Sequence, residues 1–257
     1  MQGKMTKLIA LGSGKGGTGK TFLTANIGAT LADMGNKVIL VDADIGCANL
    51  HIFLGMYDIQ FTLSDFITKK ATFNQVILDT PVSNLYLISG ASDLLKVVHM
   101  AYVQKERLIH EILSLDADYI LIDLGAGVSY NILDFFNTAT CKVVVFTPNL
   151  PAVENAYSFI KLSLHRELLK TFNKFPIIEK QMKETISLQR DEIKQIITTY
   201  GHEPHLIDRI YDNFKPCLVL NMTQNIEDTE LGFRLKTLIQ DFLSIESILL
   251  GNVNYCL

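Results

Sequence analysis

The stretch GSGKGGTGKT at residues 12–21 combines five glycines with two lysines and two threonines. It fits the pattern G-x-x-x-x-G-K-[ST] through Gly14, Gly19, Lys20 and Thr21. Glycines at these positions let successive backbone N–H groups converge on phosphate oxygens, and a helix that follows adds the positive end of its dipole. The pattern therefore predicts a phosphate-binding loop.

Two side chains of this loop have predicted roles of their own. Lys20 would bridge the β- and γ-phosphates of a nucleoside triphosphate, and the Thr21 hydroxyl would ligate Mg²⁺. The loop and the residue after it complete the predicted phosphate contacts: Gly14, Lys15, Gly16, Gly17, Thr18, Gly19 and Phe22. At Phe22 only the backbone N–H is suited to this purpose.

A pair of carboxylates follows the next apolar run, in VDADIGCANL at residues 41–50. A strand that ends here delivers Asp42 and Asp44 to its carboxyl end, which is where open α/β sheets bind ligands. We expect both to lie beside the phosphate loop and to contribute to the Mg²⁺ site. For Asp42 two interpretations stay open, a contact to Mg²⁺ through water or a cap on the following helix.

A third carboxylate ends the apolar run YILID at residues 119–123. Asp123 is the carboxylate at the end of a buried strand. This position suits an indirect contact to Mg²⁺, made through a ligand that is itself bound to the ion. Gly125 and Gly127 follow it, and they predict a mobile turn that senses the terminal phosphate.

Seven apolar runs must position these side chains, and most are followed by a glycine-bearing loop and a segment of helical period. Uninterrupted apolar strands that alternate with helices indicate a mostly parallel sheet covered on both faces. We predict an α/β fold of the P-loop NTPase type, one domain over residues 1–257. The predicted strands are 7–12, 37–44, 84–90, 119–127, 141–149, 217–222 and 248–255.

One connection is much longer than an ordinary crossover. About seventy residues separate the strand that starts at 141 from the one that starts at 217. Apolar residues between 178 and 197 recur at about helical spacing, so we predict a helical insertion at about 165–215. It either packs on the edge of the sheet or binds a partner.

Composition limits the possible partners and compartments. The 257 residues carry 23 basic and 27 acidic side chains, a net charge of −4, which disfavours DNA as a partner. The four cysteines are widely separated, as in a reduced compartment. No stretch reaches the ~18 apolar residues of a spanning helix. We expect a cytoplasmic protein, at most peripheral to the inner face of the cell membrane.

The second lysine of the loop points to a family. K-G-G-T-G-K-T, with Lys15, resembles the deviant Walker A loop of the MinD/ParA ATPases. The resemblance implies that the ligands are ATP or ADP with Mg²⁺, and that Lys15 reaches across an ATP-dependent homodimer to the partner subunit's phosphates. It also implies that Asp44 activates the attacking water and that Asn49 helps to hold it. Asn221, at the end of a later strand, would read adenine; the alternative is an ordinary turn asparagine.

Within the family, D-x-G-A-G at Asp123–Gly127 and TPNLPAVENAYSFIK at 147–161 resemble the FlhG (FleN) branch, which governs flagellar number and placement. Gly125 stands where most relatives have proline. The resemblance implies an ATP-hydrolysing molecular switch in spatial regulation, with flagellar placement preferred over MinD-like cell-division positioning. The protein partner would belong to the corresponding flagellar or division machinery.

Two other functions of related ATPases remain as alternatives. A ParA-like DNA-partitioning ATPase should show a basic face, and a metal-cluster carrier of the Mrp type should show a C-x-x-C near its C-terminus, which is absent. The chain also stops just after its last predicted strand. Either the sequence is cut short at this point or the protein does not bind membrane directly, because an amphipathic tail helix would have to provide that binding.

Overall fold

The computed structural model describes residues 6–44, 47–90, 102–185 and 187–255. The chain forms two compact units whose segments alternate along the sequence. The first consists of Met1–Gly12, Gly19–Ala126 and Thr138–Cys141, and the second of Ser13–Thr18, Gly127–Asn137 and Lys142–Leu257. The single-domain assignment stays a prediction.

Five strands of the first unit form a sheet in the order β3-β4-β2-β5-β1. All neighbours are parallel except β3 and β4, which are antiparallel. The strands are β1 (Lys7–Gly12), β2 (Val38–Ala43), β3 (Ile77–Asp79), β4 (Leu85–Ile88) and β5 (Tyr119–Leu124). Consecutive residues of β2 and β5 are buried, so both faces of these strands are covered, as their uninterrupted apolar sequences require.

The helices of this unit follow the strands that they connect. They are α1 (Lys20–Asp33), α2 (Leu50–Phe53), α3 (Leu63–Ile67), a 3₁₀ turn (Phe73–Val76) and α4 (Tyr102–Leu113). Helix α1 begins directly after Gly19, whose φ of 85° lies in the left-handed region. This glycine therefore lets the chain turn sharply from the phosphate loop into the helix.

The second unit has three parallel strands in the order β6-β7-β8. They are β6 (Cys141–Phe146), β7 (Cys217–Thr223) and β8 (Ile248–Asn254). The helices are α5 (Tyr130–Thr138), α6 (Leu150–Thr171), α7 (Pro176–Glu184), α8 (Arg190–Thr199), α9 (His205–Asn213) and α10 (Ile226–Leu243). Among the described residues, no helix is both long enough and apolar enough to span a membrane.

The predicted α/β class is confirmed, and each of the seven predicted strands is present within a few residues of its expected bounds. The difference is an eighth strand, β3, in a segment for which no strand was predicted. It has only three residues and follows directly on the 3₁₀ turn, so it is too short to show an alternating pattern.

Three helices, α7 to α9, occupy most of the predicted insertion. Their apolar residues at helical spacing are buried, including Ile178, Met182, Ile193 and Ile197. The buried Tyr211 hydroxyl donates a 2.8 Å hydrogen bond to the Leu188 carbonyl, which links α9 to the segment before α8. These helices thus have a packed core of their own.

Candidate functional site

A buried lysine begins helix α1. Lys20 is 8% exposed, and burial lowers its pKa because the charged ammonium loses water. The carboxylates of Asp123 and Asp44 oppose this shift. The first unit therefore holds a cation between two carboxylates at the point where the phosphate loop becomes a helix.

Two carboxylates lie side by side on neighbouring strands. Asp42 of β2 and Asp123 of β5 are directly paired in the parallel register, and both are buried. Burial raises the pKa of Asp42 to about 7 and that of Asp123 to about 6, because each negative charge is removed from water. The strand ends thus bring together the carboxylates that the sequence placed at a Mg²⁺ site.

Two threonines of α1 bind Asp123. The side chain of Thr21, the predicted Mg²⁺ ligand, hydrogen bonds to it, and so does that of Thr24, with 3.4 Å between Thr24 Oγ1 and Asp123 Oδ1. Thr24 was not predicted from the sequence. Its spacing of three residues from Thr21, which puts both on one face of a helix, is the signal that would have found it.

Asp42 has both carboxylate oxygens in backbone hydrogen bonds. Its Oδ2 accepts from the N–H of Leu50, the first residue of α2, at 3.0 Å, and its Oδ1 accepts from the N–H of Asp44 at 3.2 Å. The helix-capping interpretation thus describes the observed contacts. A role toward Mg²⁺ stays a prediction for this residue.

Asp44 is packed against a glycine. A Cβ built on Gly125 would lie 2.9 Å from Asp44 Oδ1, closer than real Cβ atoms come to a neighbour. Burial raises the pKa of Asp44, and the Lys20 ammonium opposes the shift. Gly125 therefore provides room for the carboxylate that we predict to activate water.

Two predicted residues of the first unit are exposed. The Asn49 amide donates a 2.7 Å hydrogen bond to the Cys47 carbonyl within its own loop, so its role toward water stays a prediction. Phe22 is 47% exposed, and its ring contacts that of Phe53 edge-on with 6.3 Å between centroids. This contact connects the start of α1 to α2.

The phosphate loop from Ser13 to Thr18 belongs to the second unit. The Ser13 hydroxyl donates to the Lys15 carbonyl at 2.6 Å, and the Ser13 carbonyl accepts from the Gly127 N–H at 3.2 Å. A Cβ on Gly14 would lie 2.2 Å from the Asn155 carbonyl oxygen. Only glycine fits at position 14, because the backbone of α6 lies directly against it.

Asn221 forms a hydrogen bond to this loop. Its buried side-chain amide donates a 2.8 Å hydrogen bond to the Thr18 carbonyl. The Thr18 hydroxyl is itself buried, and it has no hydrogen-bond partner among the described residues. The structure thus shows a contact from Asn221 to the loop, and adenine recognition by this residue stays a prediction.

A cleft of about 470 Å³ lies along the loop. Lys15, which is exposed, lines it together with the backbone of Gly16, Gly17 and Thr18. The other residues that line the cleft were not predicted from the sequence to do so. They are Thr147, Pro148, Asn149, Met222, Gln224 and Asp228. These residues follow β6 and β7, so the cleft opens at the carboxyl ends of two parallel strands, where α/β folds bind ligands.

Known proteins resemble this chain over most of its length. A model of the AAA domain family matches residues 6–174. The septum site-determining protein MinD of Thermotoga maritima is 31% identical over 236 residues, which are 88% of this chain and 77% of that protein. The chain belongs to the MinD/ParA family of ATPases. The predicted family and ATPase activity are thereby confirmed.

Two further comparisons place this MinD/ParA protein among its relatives. The antiactivator FleN of Pseudomonas aeruginosa is 32% identical over 158 residues, which are 61% of this chain and 56% of that protein. The structure of MinD from Pyrococcus horikoshii, complexed with Mg-ADP, superposes with a TM-score of 0.62 at 24% identity. It covers 97% of this chain and 82% of that one, which shows that the fold is shared.

Proposed function

We propose that this MinD/ParA ATPase is a molecular switch that closes a homodimer around ATP and Mg²⁺ and opens it on hydrolysis. Its output is spatial regulation through a protein partner that binds the closed state. The observation that supports this proposal is the difference in burial between the two lysines of the loop. Lys20 is buried beside carboxylates, whereas Lys15 is exposed on the cleft wall.

The residues of the loop suit a nucleotide. The Thr18 hydroxyl has no hydrogen-bond partner among the described residues, and Gly14 packs tightly against the backbone. Both belong to a loop whose backbone N–H groups are suited to bind an anion. Asp123, with Thr21 bound to it, supplies the oxygens that Mg²⁺ prefers. MgATP supplies the phosphoryl group that is cleaved, and a relative of the same fold, the P. horikoshii MinD, is complexed with Mg-ADP.

The exposed lysine supports a dimer. An ammonium beside an already cationic loop is repelled unless a polyanion lies between the charges. Lys20 serves the phosphates bound by its own loop, and Lys15 extends toward those of a second subunit. Asp44, held beside Lys20, acts on the attacking water and so resets the switch.

The preferred process is flagellar number or placement. The support is the resemblance to FleN and the branch-specific Gly125, which packs on Asp44. We place the protein in the cytoplasm, with any membrane contact peripheral. Loss of the gene should change the number or position of flagella, whereas minicells with normal flagella would indicate division positioning instead.

Light scattering with ATP and Mg²⁺ tests the switch. The wild-type protein should be a dimer with ATP and a monomer with ADP, and Lys15→Ala should bind ATP yet stay monomeric. Lys174→Ala is the matched control, because Lys174 is exposed and does not line the cleft. A Lys15→Ala dimer would contradict the proposal, and salt-sensitive DNA binding by the ATP form would favour a ParA-like role.

A further inference from the structure

A basic groove lies in the first unit, formed by the segment after α3 and by α4. Its volume is about 670 Å³. The residues that carry its chemistry are Phe66, Lys69, Lys70, Phe73, Arg107 and Glu111. We call this surface the 66–75 groove. None of the residues predicted to bind nucleotide lines it.

The charge of the groove is opposite to that of the chain. Lys69, Lys70 and Arg107 are exposed, and among the described residues no carboxylate forms an ion pair with any of them. Of the described residues that line the groove, Glu111 is the one with an acidic side chain. A net positive surface therefore persists on a protein whose net charge is −4, and it will attract an anionic partner.

The guanidinium of Arg107 is held in position. It lies over the Phe66 ring with 4.5 Å between the guanidinium carbon and the ring centroid. Phe66 in turn packs edge-on against Phe73 with 5.1 Å between centroids, and both rings are buried. A guanidinium fixed in this way keeps its planar set of donors free for a carboxylate, with little loss of side-chain entropy on binding.

Lys69 has a backbone conformation that suits glycine. Helix α3 ends in a turn in which the Lys70 N–H donates to the Asp65 carbonyl at 2.8 Å, and Lys69 takes a φ of 61°. Helix ends of this kind normally place glycine in the left-handed position, because a Cβ is strained there. The lining of the groove thus includes a lysine with a strained backbone, and local strain of this kind concentrates at functional positions.

Both ends of the segment are fixed by capping boxes. The Asp65 carboxylate accepts from the Thr62 N–H at 3.0 Å, and the Gln75 side-chain oxygen accepts from the Thr72 N–H at 2.8 Å. The groove is therefore formed before any partner arrives, which lowers the entropy cost of binding.

From these contacts we propose that the 66–75 groove binds an acidic, extended segment of a partner protein. Arg107 receives one carboxylate through paired hydrogen bonds, while Lys69 and Lys70 contact acidic residues on either side. A concave surface favours a peptide over a flat membrane. Its phenylalanine side chains, Phe66 and Phe73, are buried and leave little exposed surface to insert among lipids.

A labelled peptide of alternating glutamate and serine, and its glutamine counterpart, test this by fluorescence anisotropy. The wild-type protein should bind only the glutamate peptide. This binding should weaken when the salt concentration is raised from about 0.1 M to about 1 M, because the Debye length falls from ~10 to ~3 Å. Lys70→Gln should weaken binding roughly two- to five-fold. Arg107→Lys should weaken it about ten-fold, because the paired hydrogen bonds are lost.

Lys69→Gly separates binding from folding. It should weaken peptide binding while the urea midpoint of unfolding stays or rises, because glycine relieves the strained turn. Lys180→Gln is the charge-matched control, since Lys180 is exposed and lies outside the groove. This variant should bind the peptide as the wild-type protein does. Equal binding of both peptides, or a lower midpoint for Lys69→Gly, overturns the proposal. So does a groove-dependent affinity for phosphatidylglycerol vesicles with none for the glutamate peptide.

Discussion

Gly125 lies directly against the carboxylate of Asp44, so that a Cβ at this position would lie 2.9 Å from Asp44 Oδ1. The contact joins the turn after β5 to the loop after β2. A bulkier residue at 125 can be accepted only if Asp44 moves. The position of the carboxylate that we assign to water activation therefore depends on the absence of a side chain 81 residues later in the sequence.

Gly125→Ala should lower ATP turnover and leave ATP binding nearly unchanged. A displacement of a catalytic group by about 1 Å costs on the order of 100-fold in rate, so we expect a loss between 10- and 100-fold. Steady-state phosphate release and ATP titration measure the two effects. In a protein that already carries Asp44→Asn, Gly125→Ala should cause no further loss of turnover. If the two substitutions instead lower turnover by independent factors that multiply, the contact between Gly125 and Asp44 does not affect catalysis.

Asn221→Ala should weaken ATP binding by loosening the phosphate loop. The change leaves the Thr18 carbonyl without its donor, at a cost of about 1–3 kcal/mol. Because the contact is to the loop backbone, affinities for ATP and GTP should fall together. A selective loss of ATP affinity would instead show that Asn221 reads adenine. Asn252→Ala, which removes an amide bonded to Thr223 Oγ1, is the control.

Lys20→Ala should abolish ATP binding. The change removes the cation from between Asp44 and Asp123, and the remaining carboxylates repel phosphate. Isothermal titration with ATP and Mg²⁺ measures the loss, and Lys15→Ala should retain binding in the same assay. ATP affinity within a few-fold of wild type would show that Lys20 does not bind phosphate.

Asp44→Ala should keep ATP-dependent dimers and stop hydrolysis. Asp44 is only half-buried, and its loss removes the acceptor for the water proton without disturbing the strands. Light scattering and phosphate release in the same preparation check both results. Unchanged turnover would remove Asp44 from catalysis.

Stability of the nucleotide-free protein should fall as the pH rises from about 4 to about 6. Burial raises the pKa of Asp123 to about 6, so the folded state holds a proton that the unfolded state releases near pH 3.8. Unfolding is thus favoured with rising pH, by up to about 1.4 kcal/mol per pH unit for this group. Above about pH 6 its effect is constant.

Urea unfolding at several pH values, with a chelator present, measures this slope. Asp123→Asn keeps an oxygen for Thr21 and Thr24 but cannot ionise, so its stability should fall less steeply over the same range. Parallel curves for the two proteins would rule out a raised pKa at Asp123.

Much of the site was predictable because its signals are local. The phosphate loop is a contiguous pattern, and Asp42, Asp44 and Asp123 each end an apolar run. The carboxyl ends of parallel strands meet at one edge of a sheet, so these patterns also predict a common location. Thr24 was missed although its spacing from Thr21 is local, and β3 was missed because three residues are too few to show a period.

The remaining contacts could not be derived from patterns. Asn221 lies 203 residues from Thr18, and the hydrogen bond between them depends on β7 ending near the loop. The cleft lining at Gln224 and Asp228 has the same origin. A strand pattern states that a segment is buried but does not state which segments become neighbours.

The sequence by itself determined the fold class and the family and predicted the residues of the phosphate loop, because these depend on residue types at fixed spacing along the chain. Only the tertiary structure showed that Gly125 makes room for Asp44 and that Asn221 supports Thr18. It alone showed that Lys69 and Arg107 line one groove. These relationships depend on packing between distant segments, which is set by the close fit of the whole core rather than by any local pattern.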